Sequence, residues 1–339
     1  MSAPILAIDA MGGDHGPAVC VPASLKALAE QPSLRLFLVG REEAIVPYLE
    51  RILPSDLERI EVIHANDVVA MDEAPRDALR HKKDSSMRVA IDLVKEGRAH
   101  AAVSAGNTGA LMGMGHFVLH SIDGIDRPAI ISAMPTFIGQ SWMLDLGANS
   151  QASPEQLVQF ALMGHCVAQG AGVHQPKVGL LNIGHEDIKG TPLVKTAHEL
   201  LASQPLNYIG FVEGDQILSG EVDVIVTDGF TGNVSLKSME GLAKMIMGVL
   251  KEEFTRHPLR QMAAITAMAP LNAVKDRLDP RRYNGAVFVG LNGVVVKSHG
   301  SADEMAFGYA IKEALGQVNA QVPYHIRQGL GGLGLQEVS

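Results

Sequence analysis

Short apolar runs alternate with stretches of helical periodicity along this chain, and that alternation restricts it to one kind of architecture. Strands are expected at 5–10, 34–39, 60–64, 101–104, 129–134, 142–146, 178–183, 208–213, 222–227 and 286–297. Between them, 86–96 places Met87, Ala90, Ile91 and Val94 on one helical face. Residues 154–168 do the same with Leu157, Phe160, Ala161 and Met163. Such a pattern implies βαβ units with right-handed crossovers and a mostly parallel sheet, hence an α/β fold. Several strands are apolar on both faces, which suits a sheet covered by helices on each side. With 47% hydrophobic but only 4% aromatic residues, the core must come from Ala, Val, Ile, Leu and Met. The 339 residues allow one large domain or two lobes.

In sheets of this type, ligands bind outside the carboxyl ends of the strands. Five expected strand ends share one chemistry. They carry Asp9, Gly12, Gly13, Asp14 and His15; Ser104, Gly106, Asn107, Thr108 and Gly109; Asp145 and Asn149; Asn182, Gly184, Glu186 and Lys189; and Asp228, Gly229, Gly232 and Asn233. Glycine permits close backbone approach, and turns feeding helix N-termini offer free N–H groups to an anion. The expectation is that these ends converge on one rim. Taken singly, each glycine cluster is equally consistent with a tight βα turn. Neither a dinucleotide fingerprint nor a P-loop occurs, and Ala102 stands where a nucleophile elbow has its first glycine.

The net charge of −9 argues against nucleic acid as a partner. Two distant cysteines, Cys20 and Cys166, point to a reducing cytoplasm, with or without peripheral membrane contact. The first residues do not resemble a signal peptide, and no apolar run reaches the roughly 18 residues of a spanning helix. Within this acidic chain, Arg76, Arg80, Lys82, Lys83, Arg88, Lys95 and Arg98 form a basic stretch. It is either a solvated helix face or a docking surface for an acidic partner. Lys82, Lys83, Ser85 and Ser86 could hold a phosphate, and the serines could equally be N-caps. From Met239 onward an apolar stripe recurs at helical spacing, as in a core or dimer helix. Segment 259–271, from Leu259 to Leu271, is apolar and edged with Arg and Lys, the composition of a shallow membrane contact. Together, about 238–280 is expected to form a helical projection for dimer or membrane contact.

AIDAMGGDHGP, LRHKKDSSM, VSAGNTGAL, GIDRPAI, LDLGAN, LLNIGHEDIKG, VDVIVTDGFTGN and VVKSHGS occur in that order from Ile5 to about Ala310. These motifs resemble the acyl-ACP:phosphate acyltransferase family of phospholipid synthesis, often called PlsX. One departure is Tyr283-Asn284-Gly285-Ala286-Val287, where that family commonly has a Gly-Gly-Ala-Pro run. The resemblance implies a Rossmann-like three-layer α/β/α sandwich similar to isopropylmalate dehydrogenase and phosphotransacetylase. It also implies a homodimer without cofactor or metal. The implied reaction transfers a long-chain acyl group from acyl carrier protein to inorganic phosphate. The acyl phosphate would feed a membrane glycerol-3-phosphate acyltransferase.

Phosphate is itself a nucleophile and a thiol is a fair leaving group, so positioning and oxyanion stabilisation are the main tasks. Lys189 and its loop, with Asn182, are expected to grip phosphate, assisted by Asn107, Thr108 and Asn233. His15 or His299 would give a proton to the departing thiol. Asp9, Asp14, Asp145 and Asp228 would orient neighbours, and Arg76, Arg80, Arg88, Lys95 and Arg98 would dock the carrier. Two rivals remain. An NAD-dependent isopropylmalate-type dehydrogenase would need a metal-binding cluster of aspartates. A non-catalytic carrier-docking scaffold would need only the basic stretch.

Overall fold

The computed structural model describes residues 3–50 and 52–332. Its strands are β1 (Ile5–Asp9), β2 (Arg35–Gly40), β3 (Ile60–His64), β4 (Ala101–Ser104), β5 (Ala129–Pro135) and β6 (Gln140–Leu144). They continue with β7 (Val178–Leu181), β8 (Tyr208–Val212), β9 (Val224–Val226), β10 (Ala286–Val289) and β11 (Val294–Lys297). All eleven join one sheet in the order β3-β2-β1-β4-β11-β10-β5-β6-β9-β7-β8. Helices cover both faces, so the three-layer α/β/α sandwich is observed. One face packs against Pro17–Glu30, Pro154–Gly170, Pro192–Ala202 and Glu304–Asn319. The other packs against Ser86–Lys95, Thr108–Leu119 and the first turns of Gly229–Thr255.

The expected strand at 286–297 is in fact the antiparallel pair β10–β11, with Ala286 opposite Lys297 and Val287 opposite Val296. Gly290, at φ +90°, breaks the apolar run. A side chain there would strain the backbone, and its Cβ would meet Met163 Sδ at 2.7 Å.

This hairpin changes the geometry of everything downstream. β11–β10, β10–β5 and β5–β6 are antiparallel, and the other seven neighbouring pairs are parallel. Three reversals leave β6, β9, β7 and β8 running opposite to β1, β2, β3, β4 and β11. Their carboxyl ends point in opposite senses, yet the halves are staggered: Leu144, which ends β6, is level through Ile131 and Val287 with Val296, one residue short of the end of β11. The candidate strand ends form two groups, a first and a second rim. The first rim gathers the ends of β1, β4 and β11, and the second those of β6, β9 and β7.

Strand parity sets which side chains meet at the first rim. Leu6 and Ile8, Ala101 and Val103, and Val294 and Val296 all face one core cluster. Ala7, Ala102 and Val295 face the other. With a period of two, Asp9, Ser104 and Lys297 fall on the side of Ala7, Ala102 and Val295. Lys297 is also in direct register with Ser104.

The 27-residue helix Gly229–Thr255 starts ten residues before the stripe seen in the sequence. Leu236 and Met239 pack against the sheet. Farther out, Leu242, Met245, Ile246 and Val249 are exposed, as are Met262, Ile265, Met268 and Val274 on the two helices that follow, Pro258–Thr266 and Met268–Leu278. The side chain of Leu259 lies outside the described residues. Among the described residues no helix is long and apolar enough to cross a membrane.

Candidate active site

At the first rim, Asp9, Ser104 and Lys297 form a buried polar row. Ser104 Oγ donates to Asp9 Oδ2 at 2.6 Å and accepts from Gly106 N at 3.0 Å. Burial raises the Asp9 carboxyl above its ordinary range, against hydrogen bonds from Ser104 and Ser86. Lys297 is only 8% exposed. Its ammonium donates to Ala105 O at 3.3 Å and to Ser298 O. Burial pulls it down to about 8, opposed by the charges of Asp9 and Asp14 and assisted by Lys237.

The glycines here are filled by neighbouring chain. A Cβ on Gly12 would lie 2.6 Å from Asp9 Oδ2 and 2.9 Å from Gly106 N. One on Gly13 would lie 2.8 Å from Gly300 O, and one on Gly106 2.5 Å from Met87 Cε. Asn107 is likewise engaged. Its Oδ1 caps the helix Thr108–Leu119 through Ala110 N, and its Nδ2 donates to Met71 O at 2.9 Å and Glu73 O at 2.8 Å. Thr108 and Gly109 follow, exposed, in the first turn.

Ser85 is the N-cap of Ser86–Lys95, donating to Lys82 O and accepting from Arg88 N. Asp14 and His15 are exposed. His299 takes a backbone bond to Asn284 Oδ1 at 2.9 Å, and Asn284 Nδ2 donates to Ser298 Oγ at 2.7 Å. Asn284 thus supplies a side chain that fixes the β11 end. Partial burial pushes His299 below its ordinary value, as do Lys237 and Lys297.

The second rim is more open. Asp145, fully buried, accepts from Ile130 N at 2.9 Å, Gly147 N at 3.2 Å, Ala148 N at 3.0 Å and Asn149 N at 2.7 Å. Burial raises its carboxyl despite these donors. Asn149 Nδ2 is held between Asp145 Oδ2 and Pro128 O. Gly229 and Gly232 are buried against this loop, close to Asn149 O and Asp145 O respectively. Asn233 lies over Gly147, whose Cβ, if present, would stand 2.7 Å from Asn233 Nδ2. Asp228 caps the helix Gly229–Thr255 through Thr231 N at 2.9 Å and Thr231 Oγ1 at 2.8 Å.

Beside it, Asn182 pins the loop that carries Lys189. Its Nδ2 donates to Gly184 O, and Gly190 closes the loop at φ +90°. Gly184 has Lys189 Cγ and Glu186 Oε2 at 3.0 and 2.7 Å from its Cβ position. Lys189 itself is exposed, with no ion pair among the described residues. A cavity of about 560 Å³ is lined by Ser150, Gln151, Ala152, Leu193, Asp228, Phe230 and Thr231. Leu193 and Phe230 belong to the first turns of Pro192–Ala202 and Gly229–Thr255, and Ser150–Ala152 lead into Pro154–Gly170. Gly229 N, Thr231 N and Val194 N are already paired with Asn149 O, Asp228 Oδ1 and Thr191 Oγ1, so the positive ends of the helix dipoles are what favours an anion there.

The structure thus joins Asn233, Asp145, Asn149 and Asp228 around Gly147 and Gly229, and puts Asn182 and Lys189 on the loop after the neighbouring strand β7. It places His15, His299, Asp9, Ser104 and Asn107 on the other rim. The helix Gly229–Thr255 links the two: it begins at the cavity, and Lys237 and Glu240, two turns later, act electrostatically on His299. The four aspartates are divided between the rims. Among the described residues no three His, Cys, Asp or Glu side chains form a metal-holding group.

In the basic stretch, Lys82 pairs with Asp67, Arg88 with Asp92, and Arg98 with Glu61 and Glu96. Arg76, Arg80, Lys83 and Lys95 are exposed. Sequence reasoning passed over Lys297, although a lysine ending the apolar run VVVK was a visible anomaly. It also passed over His185, which shares the Lys189 loop and lies 3.6 Å from Glu213.

Residues 5–325 match the family described as "Fatty acid synthesis protein". The chain is 54% identical to a phosphate acyltransferase of Methylococcus capsulatus over 95% of each chain. It is also 54% identical to one of Alkalilimnicola ehrlichii, over 97% of this chain and 96% of that one. Among solved structures it is similar in fold to a phosphotransacetylase from Streptococcus pyogenes, with TM-score 0.63, 17% identity and 94% of both chains covered. EutD phosphotransacetylase from Staphylococcus aureus aligns with TM-score 0.61 at 15% identity, again over 94% of both.

Proposed function

Because this chain belongs to the fatty acid synthesis protein family, alongside the phosphate acyltransferases, we propose that its second rim is where phosphate and an acyl thioester react. The chain is an acyltransferase that moves acyl groups onto phosphate for phospholipid synthesis. The observation that carries the placement is the cavity at two helix N-termini, those of Pro192–Ala202, which follows the Lys189 loop, and Gly229–Thr255, which carries Asn233.

In this reading, inorganic phosphate sits at the helix ends with Lys189 as its cationic partner. The thioester carbonyl is brought within roughly 3–3.5 Å of a phosphate oxygen. That oxygen attacks the carbonyl carbon, Asn233 and backbone N–H groups steady the oxyanion, and the carbon–sulfur bond breaks. The products are acyl phosphate and free thiol. The proton that the hydrogen phosphate brings passes to the sulfur, a group whose ordinary pKa of about 8.5 makes it an undemanding leaving group. His15 or His299 is the proposed relay for that proton.

Acyl carrier protein is the proposed donor, docking near Arg76 and Arg80. The exposed apolar surface from Leu242 to Val274 is proposed to be covered by a second copy of the chain or by a membrane surface, close to the acyltransferase that consumes the product. Incubation with palmitoyl-ACP and labelled phosphate tests the reaction. Labelled, hydroxylamine-trappable acyl phosphate is expected, and its absence with folded protein would overturn the reading.

A further inference from the structure

We propose that the cavity at the second rim also seats the first carbons of the acyl chain, and that Phe230 determines which chains are accepted. The proposal rests on the reading that phosphate is held beside Lys189. Two reactants that must approach within roughly 3–3.5 Å share one cavity. The acyl carbonyl therefore enters the space that holds phosphate, and its chain has to leave along a wall.

The lining supplies one. Ser150, Gln151, Asp228 and Thr231 are polar, whereas Ala152, Leu193 and Phe230 are apolar. Ala152 and Leu193 are half-buried and backed by the core, so they form a firm floor. Phe230 is different. It stands in the first turn of its helix, 67% exposed, and belongs to neither core cluster. Gly229 and Gly232 beside it offer no side chain to cover it. The ring contributes little to the packing of the fold, and a large aromatic left in water at a cavity wall is surface awaiting an apolar occupant.

Of the two reactants, only the fatty chain is apolar. The volume, about 560 Å³, lies within the range of roughly 300–1,000 Å³ that accommodates small-molecule ligands. On the Lys189 loop, which leads into the helix of Leu193, Ile183 and Ile188 are also 78% and 80% exposed. An alkyl chain passing Phe230 gains contact with each added methylene until it runs beyond the ring. Chain preference therefore follows the size of this side chain.

The test compares butyryl, octanoyl and palmitoyl thioesters of the carrier with the wild type, Phe230→Ala and Leu193→Ala. Phe230→Ala is expected to lower kcat/KM roughly tenfold for palmitoyl and little for butyryl, with the KM for phosphate unchanged. An equal effect on all three thioesters, or none, in a variant with wild-type circular dichroism overturns the proposal. The Phe230→Trp variant gives an independent readout. Its fluorescence should shift to the blue with palmitoyl-ACP and not with butyryl-ACP; identical spectra would also overturn it. Lys189→Ala, measured alongside, separates the two readings. An unchanged phosphate KM there removes the phosphate assignment, while the chain-length profile of Phe230→Ala still reports on the acyl wall.

Discussion

Asn182 clamps the loop of Lys189, with its Nδ2 donating to Gly184 O at 3.1 Å and to Lys189 O at 3.5 Å. One amide thus holds both ends of the turn that presents the cation. Lys189→Ala should reduce acyl phosphate formation by about 10²-fold or more. Its exposed side chain should cost less than about 0.5 kcal/mol of stability. Asn182→Ala should instead raise the KM for phosphate roughly tenfold while retaining much of kcat, because it loosens the loop without removing the charge. Steady-state kinetics at varied phosphate separate the two outcomes, and near-normal turnover of Lys189→Ala would remove that residue from the mechanism.

Gly147 has φ +125°, and its missing Cβ is the space over which Asn233 lies. Gly147→Ala should cost about 1–3 kcal/mol in backbone strain and push Asn233 aside. A lower urea midpoint together with lower kcat/KM is expected. If the midpoint falls while turnover holds, Asn233 does not act in the reaction.

Asp228 combines a helix cap with a negative charge on the cavity wall. Asp228→Asn retains the cap, since asparagine caps about as well as aspartate, and removes the repulsion toward phosphate. The KM for phosphate should fall several-fold, by about 1 kcal/mol of Coulomb energy at a few ångströms in a watery site. A collapse of kcat would instead identify Asp228 as a participant in the chemistry.

Lys297 gives the fold a dependence on alkaline pH. Its folded value of about 8 lies below the unfolded value of about 10.4. Between those values the unfolded chain binds more protons than the folded one, so stability rises with pH across the window. Below about 8 both states are charged and this group adds no slope. Urea denaturation between pH 7.5 and 10 should show a rise of the order of 1–3 kcal/mol that Lys297→Met abolishes. Parallel curves for the two proteins would mean that Lys297 is not desolvated.

Arg76 and Arg80 are exposed on the helix Pro75–His81 and have no ion pair among the described residues. Replacing both with glutamate should raise the KM for palmitoyl-ACP about fivefold or more at low salt, with the difference shrinking as salt screens the encounter. Palmitoyl-pantetheine, which lacks the acidic carrier, should be turned over as by the wild type. An equal loss with both donors would place the effect elsewhere.

Much of the architecture is legible in the residues because buried parallel strands must be apolar runs between helical periods. Both 60–64 and 101–104 occur where the sequence places them. The chemistry at strand ends is legible too, since Gly, Asn and Asp at the end of a run have few other reasons to cluster. What the pattern does not encode is direction. A hairpin at Gly290 and another between β5 and β6 reverse half the sheet, and nothing in a local window at Asn107 or Lys189 registers that event. Asn107 shows the second limit. As a residue type it could as well hold a ligand as cap a helix, and only the positions of Met71 and Glu73 decide. Lys297 was visible as an oddity in VVVK, but its burial depends on β4, nearly two hundred residues earlier in the chain.

The cavity that receives the helix starts at Leu193 and Phe230 has a further consequence. Much of its attraction for an anion comes from peptide groups, which every amino acid shares except for proline's missing hydrogen. Alanine scanning of its walls will therefore understate the electrostatics there. The substitutions that expose it are those that unwind the first turn of a helix, and distant homologues could exchange most of the lining side chains and still keep the same field.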